Sequence, residues 1–246
     1  MAISFVGSAT QGVPSGDQET GRVEVPLPAG MAEGDIVVAI CCADTVNQTP
    51  SPDDGTSDYA TITVNTAVGV DYGAFYKFMG SSPDSSIFLP PWHTITFPTS
   101  WVVAVFRGVD TSSPFDVSLT EATGTSGDPD PPSITTVTDG AAVVSCGFLD
   151  DDNITSCTQS GATDVVFVAA GGSSTLTSST MLGWQLQATA DTVDPAAFVT
   201  DGDDAWSAIT LALREAGAGG GALVRTIGDG LISGLLLNRP SLVRVG

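Results

Sequence analysis

The sequence is poor in basic residues. Its 246 residues include 7 lysines and arginines against 28 aspartates and glutamates, which gives a formal net charge of −21 at pH 7. Nucleic acids and anionic membrane surfaces attract proteins through clustered positive charge, and this chain has no such cluster. We therefore expect neither nucleic acid nor membrane among its partners.

Histidine and cysteine are too scarce to indicate a catalytic or metal centre. The single histidine, His93, would have to serve any Ser-His-acid arrangement, and no Gly-x-Ser-x-Gly elbow precedes a predicted helix. The four cysteines, Cys41, Cys42, Cys146 and Cys157, are predicted to be buried free thiols rather than disulfides or zinc ligands. We expect no catalytic residue and no required cofactor.

Long apolar runs are also missing. No stretch reaches the roughly 18–20 uninterrupted apolar residues of a membrane helix. The first seven residues have neither the basic leader nor the apolar run of a signal peptide. The sequence therefore predicts a protein made in the cytoplasm.

A glycine-rich hinge at 216–221 separates two parts of opposite charge. Residues up to Ala216 carry 4 basic and 27 acidic side chains, a balance of 4 − 27 = −23. Residues from Gly217 onwards carry 3 arginines and 1 aspartate, a balance of 3 − 1 = +2. We predict an acidic β-sandwich at 1–215, followed by the hinge and a C-terminal arm at 222–246.

The arm is rich in large aliphatic side chains and carries three arginines. The residues expected to make the assembly contacts are Leu223, Ile227, Leu231, Leu235, Leu236, Leu237, Arg225, Arg239 and Arg244. Each aliphatic side chain contributes roughly 1.5–3 kcal/mol when fully buried. Three glycines at 228, 230 and 234 oppose a helix, so we favour an extended path with a strand at its end. Fully stretched, 25 residues reach on the order of 80 Å, enough to cross to another subunit.

The part before the hinge alternates short apolar runs with Gly, Asp, Ser and Pro turns. This pattern predicts about a dozen strands and an all-β, jelly-roll-like β-sandwich. Tyr59–Phe78 is predicted to form a hairpin around Gly69, residues 115–119 a strand, and residues 121–132 a surface loop. The long strand predicted at 175–188 is expected to bend near Gly183.

Four groups of strand-and-turn motifs carry a resemblance to a known domain. They are GDIVV at 34–38, VFRGVD at 105–110 with PFD at 114–116, SITT at 133–136 with DGA at 139–141, and AWSAITLALR at 205–214. Together they resemble a β-sandwich domain of bacteriophage and prophage structural proteins, over roughly residues 3–214. The resemblance implies a virion component of the decoration, fibre or tail type, and it implies no enzyme activity.

Two secondary hypotheses concern loops. The run Asp201, Asp203 and Asp204 offers oxygen ligands for a structural calcium ion, although its spacing does not match an EF-hand. Trp92, which follows two prolines, is placed to stack on a sugar ring in a glycan-binding module.

The sequence therefore predicts a non-enzymatic virion structural protein that assembles with copies of itself, or with other virion proteins, through its C-terminal arm. The alternative is a glycan-binding host-adhesion module of a phage fibre. A carbohydrate-active enzyme using a carboxylate pair is a third hypothesis.

Overall fold

The computed structural model describes residues 1–13, 23–43, 59–67, 70–89, 98–150, 154–170 and 177–217. All regular secondary structure in these ranges is β-strand, so they contain no helix able to cross a membrane. The strands are β1 (Ser4–Val13), β2 (Val23–Pro26), β3 (Ile36–Ala43), β4 (Ala60–Ala67), β5 (Val70–Phe78), β6 (Ser86–Leu89), β7 (Thr99–Arg107), β8 (Thr120–Gly124), β9 (Ile134–Thr135), β10 (Ala141–Leu149), β11 (Cys157–Gln159), β12 (Asp164–Ala170), β13 (Ser178–Gln187), β14 (Thr192–Val193), β15 (Phe198–Thr200) and β16 (Trp206–Leu213).

Two five-stranded antiparallel sheets face one another. The first has the strand order β1-β7-β3-β5-β4 and the second has the order β12-β13-β10-β16-β8. Ala67 pairs with Val70 across the β4–β5 turn, which confirms the predicted hairpin. The predicted all-β sandwich is also confirmed. Each sheet is drawn from one half of the chain, β1 to β7 for the first and β8 to β16 for the second.

The core between the sheets is apolar and densely aromatic. Tyr72 of the first sheet stacks on Phe148 of the second, with ring centroids 4.5 Å apart. Phe5, Phe106 and Trp184 form a second aromatic group, with centroid distances of 5.6–5.8 Å. Such pairs add about 0.5–1.5 kcal/mol to the burial of their area. These contacts fix the two sheets against each other.

Three two-stranded ribbons cover the outer faces of the sheets. The β2–β6 ribbon places Val25 and Ile87 on the outer face of the first sheet. The β11–β15 ribbon places Phe198, and the β9–β14 ribbon places Val193, on the outer face of the second. Every residue of β3, β10 and β16 is consequently buried. This explains why these strands are nearly continuous apolar runs in the sequence rather than alternating ones.

Three predictions for individual segments are wrong. Residues 120–124 form strand β8 because they pair with β16, a partner more than eighty residues later. Residues 115–119 form no strand; a single bridge from Phe115 to Leu213 holds them. Strand β13 passes through Gly183 without a break, since the missing side chain there makes room for the amide of Gln159.

Replacing the buried aromatic at the sheet interface tests this packing. Phe148→Ala removes a fully buried ring and is expected to lower the free energy of unfolding by about 3–5 kcal/mol. Val199→Ala, at a side chain that is 58% exposed, is expected to change it by less than about 0.5 kcal/mol. Denaturant unfolding of both variants measures the difference. Equal effects would contradict the packing of the sheets at Phe148.

Candidate functional site

A groove with mainly apolar walls opens along one edge of the sandwich, between strand β4 and the segment 115–119 that precedes β8. Its volume is about 570 Å³. We call it the edge groove. It is lined by Thr61, Ile62, Tyr76, Phe115, Val117, Ser118, Leu119 and Leu211.

The edge groove exists because the two edge strands are unequal. Strand β4 has eight residues, whereas β8 has five and begins only at Thr120. The five residues before Thr120 lie outside the sheet, so the space facing Ile62 and Tyr76 is left open. Buried Leu211 forms the floor, and the ring of Phe115 meets Tyr76 edge-on at 5.1 Å. A small aliphatic or aromatic group fits such a cavity, whose volume lies in the range of about 300–1,000 Å³ that is usual for ligand sites.

A polar contact joins the two sheets beside the groove. The Thr63 hydroxyl donates a hydrogen bond to the Glu121 carboxylate at 3.0 Å. Close by, Asn65 donates to the Tyr72 hydroxyl at 3.2 Å. The pKa of Tyr72 is raised to about 12, chiefly by burial and in smaller part by the negative charge of Glu121. The open edge therefore has an apolar interior and an acidic rim.

The basic side chains of the described residues are all paired internally. Lys77 contacts Asp84 at 2.8 Å and carries its ammonium 5.8 Å from the Tyr59 ring centre. Arg107 makes a bidentate pair with buried Asp35, with both distances 2.8 Å. Arg214 lies 3.5 Å from an oxygen of Asp116. Each of the three basic side chains that the structure describes therefore has an aspartate partner within the body.

The motifs behind the sequence resemblance converge at one end of the sandwich. The Asp35–Arg107 pair joins the first motif to the second. The Asp116–Arg214 pair joins the PFD turn to the last motif. Asp116 also accepts a 2.6 Å hydrogen bond from the hydroxyl of Thr138, between the two parts of the third motif group. The motifs therefore mark a structural base of the sandwich.

The described chain leaves the sandwich at this same end, which we call the exit end. The α-ammonium group of Met1 donates to the carbonyl of Ala216 at 3.2 Å and lies 3.3 Å from Glu215. The Ala216 amide donates to the carbonyl of Gly108 at 2.7 Å. Gly108 has φ +85°, and a Cβ there would stand 2.8 Å from the carbonyl of Ala2, so only glycine suits this crossing.

Several predicted site residues lie outside the described ranges. They are the nine arm residues (Leu223, Ile227, Leu231, Leu235, Leu236, Leu237, Arg225, Arg239 and Arg244), together with Trp92 and His93. The assembly and glycan hypotheses attached to them stay predictions.

The candidate calcium ligands make separate contacts within the loops. Asp201 accepts hydrogen bonds from the amide and hydroxyl of Thr155, at 2.9 and 2.6 Å. Asp203 accepts from the Gly127 amide at 2.6 Å, and Asp204 from the amide of Ala205. Among the described residues, no group of three or more acidic, histidine or cysteine side chains is arranged to hold a metal ion. These carboxylates fasten loops to one another, and structural calcium stays an untested hypothesis.

Three of the four cysteines match the sequence prediction. Cys41, Cys42 and Cys146 are free and fully buried, with Cys41 and Cys42 on opposite faces of β3. Cys157 is free but only partly buried. Burial raises the pKa of the Cys41, Cys146 and Cys157 thiols, that of Cys157 to about 12. Thiols with raised pKa values are poor nucleophiles near neutral pH.

No protein-family model, curated protein or solved structure matches this chain. The bacteriophage resemblance therefore stays a prediction from the motifs. The sequence did not indicate the edge groove, because its walls come from segments that are distant along the chain. The only local signal is the alternation of Phe115, Val117 and Leu119 with polar residues, a pattern that predicts a strand.

The thiol environments predict slow chemical labelling. In the native protein near pH 8, Cys41, Cys42 and Cys146 are expected to resist Ellman's reagent for hours because they are fully buried. Cys157 is expected to react slowly at most, because its raised pKa leaves little thiolate. All four are expected to react at once in guanidinium chloride. Rapid native labelling that survives Cys157→Ser would contradict the burial of the other three.

The hydrogen bonds to Asp201 predict an unusual acid titration. Its pKa is lowered to about 2, chiefly by the Thr155 hydroxyl and then by the Thr155 amide. The stabilisation from these bonds is present above the unfolded pKa of about 3.9, and it is lost as the pH falls through about 2. In carbon-detected NMR, Asp201 is expected to remain ionised at pH 3. Thr155→Ala should raise the midpoint, whereas Ser156→Ala, which keeps its amide donor, should leave it unchanged.

Proposed function

We propose that the protein is a non-enzymatic structural component of a bacteriophage virion, of the capsid-decoration, fibre or tail type. We further propose that it assembles with copies of itself, or with other virion proteins, through the arm at residues 222–246.

The observation that carries the assembly proposal is the internal pairing of every basic side chain in the described body. Lys77, Arg107 and Arg214 are each held by an aspartate, so the described surface offers acidic groups and few cations. The complementary cations, Arg225, Arg239 and Arg244, follow the exit end in sequence. Opposite charges on two parts of one chain favour contacts between those parts, either within a copy or between copies.

Apolar side chains, like charges, are distributed unequally between the body and the arm. The described body covers the inner faces of its central strands with the opposite sheet and the outer faces with its ribbons. Its only large exposed hydrophobic side chains among the described residues are Met1, Val137, Leu186 and Val199. The arm carries eleven large aliphatic side chains in 25 residues. Burying even a few of them provides a strong drive for association.

Support for a virion component comes from the motifs. Parts of the motifs that carry the resemblance meet at the exit end, where two Asp–Arg pairs join them. They thus fix the base from which the arm departs. Such a base suits a protein whose sandwich is displayed outward while its C-terminal segment contacts the assembly.

Removing the apolar character of the arm tests the proposed function. In the full chain, the triple change Leu235→Ser, Leu236→Ser and Leu237→Ser is expected to convert an oligomer into single chains. Multi-angle light scattering over a range of concentrations measures the mass. The apolar triple change of the same positions to Met is the matched control and is expected to preserve assembly.

Truncation after Ala216 provides a second test. The truncated chain is expected to keep the strand signal of the intact protein in far-UV circular dichroism while failing to assemble. A full chain that is monomeric at every concentration would refute assembly between copies, and an oligomer that survives both the serine changes and the truncation would refute assembly through the arm.

A further inference from the structure

We propose that the edge groove of one copy binds the C-terminal arm, residues 222–246, of a second copy. This inference rests on the proposed function and specifies the site at which the arm docks.

The chemistry of the groove matches that of the arm. Ile62, Phe115 and Leu119 form apolar walls above the buried floor at Leu211. The arm carries leucine, isoleucine and valine side chains of the size that such a cavity accepts. Five of the eight lining side chains are apolar, and the other three, Thr61, Ser118 and Tyr76, each carry a hydroxyl.

The backbone beside the groove is suited to strand addition. β4 is the last strand of the first sheet and β8 is the last strand of the second, so each has one edge without a described strand partner. An unpaired strand edge is a template for an incoming extended segment, whose alternate side chains then fill neighbouring pockets. The groove is lined by Thr61 and Ile62 of the edge strand β4 and by the segment that leads into β8, so an arm in extended conformation can gain backbone hydrogen bonds along β4 together with apolar burial.

Strand direction favours an arm from another copy. β4 and β8 both run away from the exit end: Ala60 at the start of β4 pairs with Tyr76, and Thr120 at the start of β8 pairs with Thr210. An arm that passed straight from Gly217 into its own groove would run parallel to both strands. Every strand pairing among the described residues is antiparallel. A second copy can supply its arm from the far end of the groove, in the antiparallel direction that pairs slightly better.

Charge complementarity also favours the arm as the occupant of the groove. Glu121 is an exposed carboxylate on the rim, and its described hydrogen-bond partner is the neutral Thr63. The arginines of an incoming arm bring the opposite charge to this rim. Exposed pairs of this kind contribute at most about 1 kcal/mol each, so they guide the arm while apolar burial holds it.

Placing a charge in the groove tests the site. In the full chain, Ile62→Arg is expected to raise the dissociation constant of the assembly at least about tenfold, because the arm would have to bury an unpaired guanidinium. Ser118→Arg, at an exposed position of the groove mouth, is a second variant that puts the fold at little risk. Val199→Arg, on the exposed face of β15, is the matched control and is expected to leave assembly unchanged. Circular dichroism and thermal melting verify that each variant is folded.

Mixing two defective full-length chains tests whether the arm crosses between copies. One chain carries Ile62→Arg with an intact arm, and the other has an intact groove with Leu235, Leu236 and Leu237 all changed to Ser. Each is expected to be monomeric alone. Together they are expected to form a one-to-one complex, since one intact arm and one intact groove remain. Analytical ultracentrifugation with one chain labelled detects the complex.

The outcomes separate the docking site from the proposed function. If the groove variants assemble like the unmodified chain while the serine variant is monomeric, the groove inference is overturned and the proposed function stands. If both defective chains are monomeric and their mixture does not form a complex, docking between copies is overturned, and the arm acts within its own copy or at another partner. If the serine variant and the chain truncated after Ala216 both assemble normally, the proposed function itself fails.

Discussion

Burial of the central strands on both of their faces is the constraint on which the rest of this structure depends. Along β3, residues facing the second sheet, such as Val38 and Ile40, alternate with Val37 and Ala39, which face outward and are equally buried. Exposing the outward set to water would forfeit about 25 cal/mol for every Å² of apolar surface. The β2–β6, β9–β14 and β11–β15 ribbons prevent this, and they explain why short strands accompany the two large sheets.

The same constraint determines where charge is found. Asp35 and Asp116 are buried at the exit end, and a buried carboxylate is tolerated only with a partner and hydrogen bonds. Arg107 and Arg214 supply those partners, so two of the few basic side chains of the body serve its internal structure. Apart from buried Asp71, the other described carboxylates lie at least partly exposed. The exterior is strongly acidic because the chain has few cations, and two of them pair with buried aspartates at the exit end.

The sequence was sufficient for features that depend on local pattern. Alternation and turn residues identified the all-β class and the hairpin between β4 and β5, and the continuous apolar run at Trp101–Phe106 identified a buried strand. Features that depend on pairing between segments distant along the chain could not be predicted from the sequence. Residues 120–124 resemble a loop until β16 is placed beside them, and Gly183 resembles a bend until Gln159 is seen to occupy its missing side-chain volume. The edge groove could not be predicted from the sequence for the same reason, since Ile62, Phe115 and Leu211 meet only when both sheets are assembled.

Assembly of such bodies has to overcome the repulsion between acidic surfaces, and a separate segment is well suited to that problem. Charges in solution at physiological ionic strength are screened over about 8 Å. Two bodies in direct face-to-face contact would lie within that distance and repel. In the proposed assembly, a segment able to span several tens of Å joins bodies whose surfaces stay farther apart than the screening length. The contact is then made by the one part of the chain whose charge is positive, at an edge that the ribbons do not cover. Apolar burial and charge complementarity act together there, while the acidic exteriors remain free to keep the bodies separate.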